Sequence, residues 1–107
     1  MWGERMGIFD FFRQPDIDQG VQTFHQTPGA VLLDVRTPEE YAAGHIPGSV
    51  NFPLERMRDY DADADAKVFA YCRSGARSAR AVALLRELDY EAVNLGGIIH
   101  YHGELEK

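Results

Sequence analysis

The sequence predicts an α/β domain in which strands and helices alternate, and three observations carry that prediction. Residues 30–35, Ala-Val-Leu-Leu-Asp-Val, make a nearly unbroken apolar run, as strands do when both faces of a parallel sheet are covered. A second apolar run, residues 68–71, leads through Cys72 into a glycine-containing turn and at once into a helical pattern. Helical periodicity separates the strand-like runs throughout, which implies layers joined by right-handed crossovers.

In chain order, residues 1–13 stand apart as an N-terminal extension, with a single domain over 14–107. Ile8, Phe9, Phe11 and Phe12 form a small aromatic cluster suited to packing on the domain or on another molecule. Asp16 or Asp18 can cap a helix running to about Gln26, with Ile17, Val21 and Phe24 on one face. After the first apolar run, Thr37-Pro38-Glu39-Glu40 supplies an N-cap, a first-turn proline and a third-position glutamate, the elements of a capping box. Gly44 stops that helix. His45 follows in a turn, where a structural role is expected, and a brief strand covers residues 49–52. Leu54 to Arg58 can form one helical turn.

Asp59, Asp61, Asp63 and Asp65 alternate with small residues and Tyr60 in what reads as a solvated loop; a calcium loop would need a glycine and a closing glutamate that are missing. From Ser78 a helix should bury Ala81, Leu84, Leu85 and Leu88 and turn Arg80, Arg86 and Glu87 outward. Residues 92–95 are the last strand, Gly96-Gly97 permit close backbone approach, and residues 98–102 form a closing turn or short helix.

A chain of 107 residues with 45% hydrophobic content is one domain with enough core to need neither metal nor disulfide. Net charge is -6, from 17 acids and 11 bases, which speaks against nucleic acid and anionic membrane as partners. No apolar run approaches the roughly 20 residues of a membrane span. The single cysteine excludes an internal disulfide framework and points to a reducing, cytoplasmic setting. His100 and His102 have no thiol or carboxylate at metal spacing, so no metal site is expected.

The chemistry concentrates in Cys72-Arg73-Ser74-Gly75-Ala76-Arg77-Ser78. A strand delivering a cysteine to a tight turn before a helix leaves backbone N–H groups unpartnered and converging, so the turn should hold an anion. A thiol there, beside two guanidinium groups, ionises more easily than a free one. A lone cysteine at a strand end also reads as a small buried hydrophobe, for which Arg73 and Arg77 are poor company. The four residues between Cys72 and Arg77 make a loop one residue shorter than that of cysteine-dependent phosphatases. A tighter cradle suits one terminal sulfur better than a phosphoryl group.

These residues resemble the active-site loop of the rhodanese sulfurtransferases. The resemblance extends through Leu33-Asp34-Val35-Arg36-Thr37-Pro38-Glu39-Glu40-Tyr41, Gly44-His45-Ile46-Pro47-Gly48-Ser49 and Asn94-Leu95-Gly96-Gly97-Ile98, and covers about residues 14–103. It implies a rhodanese-like three-layer fold: a five-stranded, mostly parallel sheet with helices on both faces, its first strand short and near Gln14 to Ile17. Cys72 would lie at the carboxyl edge of a central strand, where open α/β sheets bind ligands. Two positions depart from the pattern: Asp89 stands where relatives usually carry the glycine that ends the helix, and Tyr101 where a tryptophan is common.

The implied activity is thiosulfate sulfurtransfer. Cys72 would attack the outer sulfur of thiosulfate or a related small anionic donor and carry it as a persulfide, with the backbone of residues 73–78 cradling it and Arg73 and Arg77 orienting the donor. Ser74, Gly75, Ala76 and Ser78 complete the binding set. Asp34 and Arg36 are expected to form a scaffold ion pair, with Arg36 meeting Glu40. No cofactor is implied, and the acceptor, cyanide, a thiol or a protein cysteine, must come from outside. A persulfide carrier or partner-binding module with little thiosulfate turnover is the alternative; a phosphatase or arsenate reductase is disfavoured by loop length.

Overall fold

The computed structural model describes residues 15–107. The 1–13 extension and its aromatic cluster lie outside the described residues. Helix α1 (Ile17–His25) precedes strand β1 (Val31–Asp34), helix α2 (Pro38–Ala43) and strand β2 (Val50–Asn51). A 3-10 segment (Leu54–Asp59) leads on to strand β3 (Val68–Cys72), helix α3 (Ala76–Glu87), strand β4 (Ala92–Gly97) and a closing 3-10 turn (Ile98–His100).

The strands form one sheet in the order β2-β1-β3-β4, and every pairing is parallel. Among the described residues there are four strands, not five. The expected first strand is absent over Pro15 to Ile17 because Asp16 accepts a hydrogen bond from the Gln19 N–H and caps α1, which makes Ile17 the first helical residue. Gln14 lies outside the described residues.

Alternation along β3 divides the core in two. Val68, Ala70 and Cys72 face α3 and the 3-10 segment, together with Leu33, Val35, Met57, Ala81 and Leu85. Phe69 and Tyr71 face α1, together with Ile17, Val21, Leu32, Ile46 and Leu95. Helices therefore cover both faces, and every residue of β3 is buried. Each large side chain so buried contributes about 1.5–3 kcal/mol relative to exposure.

The capping box forms as the sequence predicts: Thr37 Oγ1 accepts from the Glu40 N–H, and Glu40 accepts from the Thr37 N–H. In α3 the buried stripe is Ser78, Ala81, Val82 and Leu85. Leu84 is half-buried, and Leu88, expected inside, is 40% exposed. The helix begins at Ala76, two residues earlier than expected, so its inward face is set by Ser78. At its far end Asp89 takes φ 71°, the left-handed conformation that a glycine would adopt more easily.

Beyond β1 the chain is fixed by a buried ion pair. Asp34 accepts from the Arg36 backbone N–H at 2.9 Å and from its guanidinium at 2.6–3.0 Å, and Arg36 Nη2 also donates to the Gly44 carbonyl at 2.7 Å. Arg36 thus serves the scaffold, but its carboxylate is Asp34 and not Glu40. His45 is likewise structural. Its ring stacks on Tyr41 at 3.7 Å, and its backbone bridges to Glu106.

On the opposite face the Tyr71 hydroxyl accepts from the Ile46 N–H and bonds Ser49 Oγ, both at 3.0 Å. Tyr101 packs against the α1-side core. His102 is exposed and bonds Asp18 through its ring and its backbone N–H, which ties the C-terminal segment to the start of α1.

Candidate active site

β3 carries Cys72 to the carboxyl edge of the sheet on the α3 face, and the turn at Arg73, Ser74 and Gly75 reverses the chain into α3. That reversal needs φ 104° at Gly75, the N-cap of α3, and a close approach to the next strand, since a Cβ there would stand 3.3 Å from Gly96 Cα. Gly97 is tighter still: a Cβ would collide with the Arg73 carbonyl and with Ser74. The two glycines that end β4 therefore act as the seat on which the loop rests.

Three donors converge on Cys72 Sγ. The Gly75 N–H lies 3.0 Å away, and the Ser78 N–H and hydroxyl each lie 3.3 Å away. Burial raises the cost of a thiolate, but the hydrogen bonds from Ser78, Gly75 and Ser74 outweigh it, and the thiol ionises below its ordinary range. Cys72 itself is 0% exposed. It is buried as a small hydrophobe would be, yet solvated by main-chain amides as an anion requires. Arg73, Ser74 and Ala76 are exposed around it.

The Ser78 hydroxyl is shared. Its single proton has three acceptors within reach: Sγ at 3.3 Å, the Gly75 carbonyl at 3.1 Å and, at the shortest distance, Asn94 Oδ1 at 2.7 Å. Asn94 in turn accepts from the Gly96 N–H at 2.9 Å and donates to the Gly75 carbonyl at 3.2 Å. It is the brace between loop and sheet, and sequence reasoning gave it no role. Alternation from the buried Ala92 was the available signal, because it puts Asn94 on the α3 face, where a polar side chain needs a partner. A register shift in the pairing, with Ala70 opposite Asn94 but Tyr71 opposite Gly96, accommodates Leu95 in the α1-side core.

Arg77 turns to Glu40 in a two-bonded fork, with Nη1–Oε1 2.7 Å and Nη2–Oε2 3.0 Å. Hydrogen bonding from Arg77, with further help from Thr37, holds the Glu40 carboxyl down to about 2 against the opposing effect of burial. Among the described residues Arg73 makes no ion pair. Two concavities flank the loop: a cleft of about 220 Å³ beside Ser74, Gly75 and His100, and a groove of about 630 Å³ that starts at Arg77 and follows α3.

A buried cysteine, solvated by amides at the edge of a central parallel strand, defines an α/β domain built around a cysteine loop. Solved structures share the fold: a rhodanese-like domain protein from Staphylococcus aureus aligns with TM-score 0.74 at 28% identity, over 89% of this chain and 97% of that one. An Escherichia coli rhodanese with anions aligns with TM-score 0.64 at 31% identity, over 73% and 98%. The family model for the rhodanese-like domain matches residues 19–103, and the chain belongs to that family. Among its relatives, a sulfurtransferase of Allochromatium vinosum is 43% identical, over 77% of this chain and 82% of its own. The thiosulfate sulfurtransferase PspE of Escherichia coli is 37% identical, over 62% and 68%.

Proposed function

We propose that the chain is a sulfurtransferase that moves a sulfane sulfur from thiosulfate or a related anion to a thiophilic acceptor through a persulfide on Cys72. The observation that carries this reading is the pair of backbone N–H donors on Sγ, from Gly75 and Ser78, with the Ser78 hydroxyl within reach, which favours ionisation of the nucleophile. Relatives named as sulfurtransferases support it.

In the first step the Cys72 thiolate attacks the outer sulfur of thiosulfate. The S–S bond of the donor breaks, sulfite leaves with the electron pair, and a Cys–S–S⁻ persulfide remains. In the second, cyanide or a thiolate attacks the outer sulfur, and the Cys72 thiolate is regenerated as leaving group. Amides of residues 73–78 stabilise the terminal sulfur anion. Arg73, which makes no ion pair among the described residues, can hold the sulfonate. Arg77 spends only two of its N–H donors on Glu40, so the rest of its fork remains available to the donor.

Burial of Cys72 favours a second reading, a persulfide carrier charged by a partner and slow with free thiosulfate. Thiocyanate production from thiosulfate and cyanide separates the two. The enzyme reading expects steady turnover, abolished in Cys72→Ser. Intact mass after thiosulfate treatment should rise by one sulfur atom, and absence of that gain on the native chain would remove the enzyme reading.

A further inference from the structure

Beside the loop lies a groove of about 630 Å³. It starts at Arg77, the end of the cysteine loop, and runs past Arg80 to Ala83 and Leu84. Seven residues of helix rise about 10 Å, the length of roughly three residues of extended chain. Its floor is apolar, with Val35, Leu54 and Leu84 in the lining.

Its charge runs against that of the molecule, whose net is -6. Arg36 and Arg77 are neutralised by Asp34 and Glu40. Arg58, from the 3-10 segment, and Arg80, from α3, make no ion pair among the described residues, and the only acid lining the groove is Glu55. Set against Glu55, Arg58 and Arg80 leave a net positive charge over an apolar floor among the described residues, which favours an acidic occupant with apolar side chains.

The form of the occupant follows from Cys72. It has no exposed surface, so a sulfur held there must be reached by something that projects, not by a flat protein face. Its chain also offers no second thiol to take the sulfur onward. On the sulfur-transfer reading above, on which this rests, we propose that the Arg58/Arg80 groove seats an extended acidic segment of a protein acceptor and leads the cysteine of that segment to the loop. The acceptor thiolate attacks the outer sulfur of the persulfide, takes it as its own persulfide, and releases the Cys72 thiolate.

The test uses the full chain charged with thiosulfate, the added sulfur being verified by mass; failure to charge removes the thiosulfate-enzyme reading on which this rests and is seen before any acceptor is added. Acceptors are a cysteine peptide with neighbouring Asp and Glu, its Lys-substituted counterpart, mercaptosuccinate as a small anionic thiol, and cyanide. The acidic peptide should exceed the Lys peptide by about tenfold in kcat/KM at low salt, the size expected for two partly screened charge pairs, and lose that advantage as salt rises. Arg58→Glu with Arg80→Glu should abolish the preference and leave cyanide turnover unchanged. The single variants Arg58→Gln and Arg80→Gln, each with a partial loss, guard against misfolding of the double variant. Equal rates for the two peptides overturn the proposal, and so does a loss for mercaptosuccinate as large as that for the acidic peptide, which would mark a site for small anions.

Discussion

Replacing Glu40 by Gln tests the contact that ties α2 to the cysteine loop. The substitution keeps the shape and the third-position capping role of the side chain and removes only its charge. The Glu40 carboxyl is held from 4.5 down to about 2, chiefly by Arg77. At about 1.4 kcal/mol per pKa unit this corresponds to roughly 3 kcal/mol without screening. Glu40 and Arg77 keep 29% and 35% of their side-chain surface in water, however, so screening should leave about 1 kcal/mol.

The sign follows from the depressed folded-state pKa: the contribution is fully present above 4.5 and is lost as pH falls through about 2. Urea midpoints at pH 7 should therefore put Glu40→Gln about 1 kcal/mol below the native chain, and at pH 3 the gap should shrink to less than about half. A double-mutant cycle with Arg77→Gln should return most of that energy as coupling. A gap equal at both pH values, or no coupling, would refute the ion-pair account.

Two further substitutions probe the cradle. Ser78→Ala removes a hydrogen-bond donor to Sγ, so iodoacetamide alkylation of Cys72 at pH 7 should slow severalfold and its pH profile should move upward; an unchanged profile would mean that the hydroxyl serves only Asn94. Gly97→Ala drives a Cβ into the Arg73 carbonyl and Ser74, so the melting temperature should fall, by an overpacking cost of about 1–3 kcal/mol, and persulfide formation should fall with it.

What could be read in the sequence was what short-range chemistry determines. The Thr37–Glu40 box lies within one helical turn, and its participants are visible in four consecutive letters. The strand of residues 68–72 and its turn were legible because apolar run, cysteine and glycine are adjacent. The Glu40–Arg77 fork was not, since it joins residues 37 apart that only the β1–β3 pairing brings together. Leu88 was misplaced for a different reason. The inward face of α3 starts at Ser78, a polar residue buried against Cys72 and Asn94, and hydrophobic periodicity cannot see a phase set by a serine. The missing first strand has a local cause, the cap at Asp16.

Cys72 is the most chemically potent side chain of the described residues and presents no surface at all. Reagents are therefore sorted by cross-section before reactivity matters: a slender tip can enter where a bulky electrophile of equal strength cannot. Sulfur attached to that thiol would stand one bond length further out, toward such a tip.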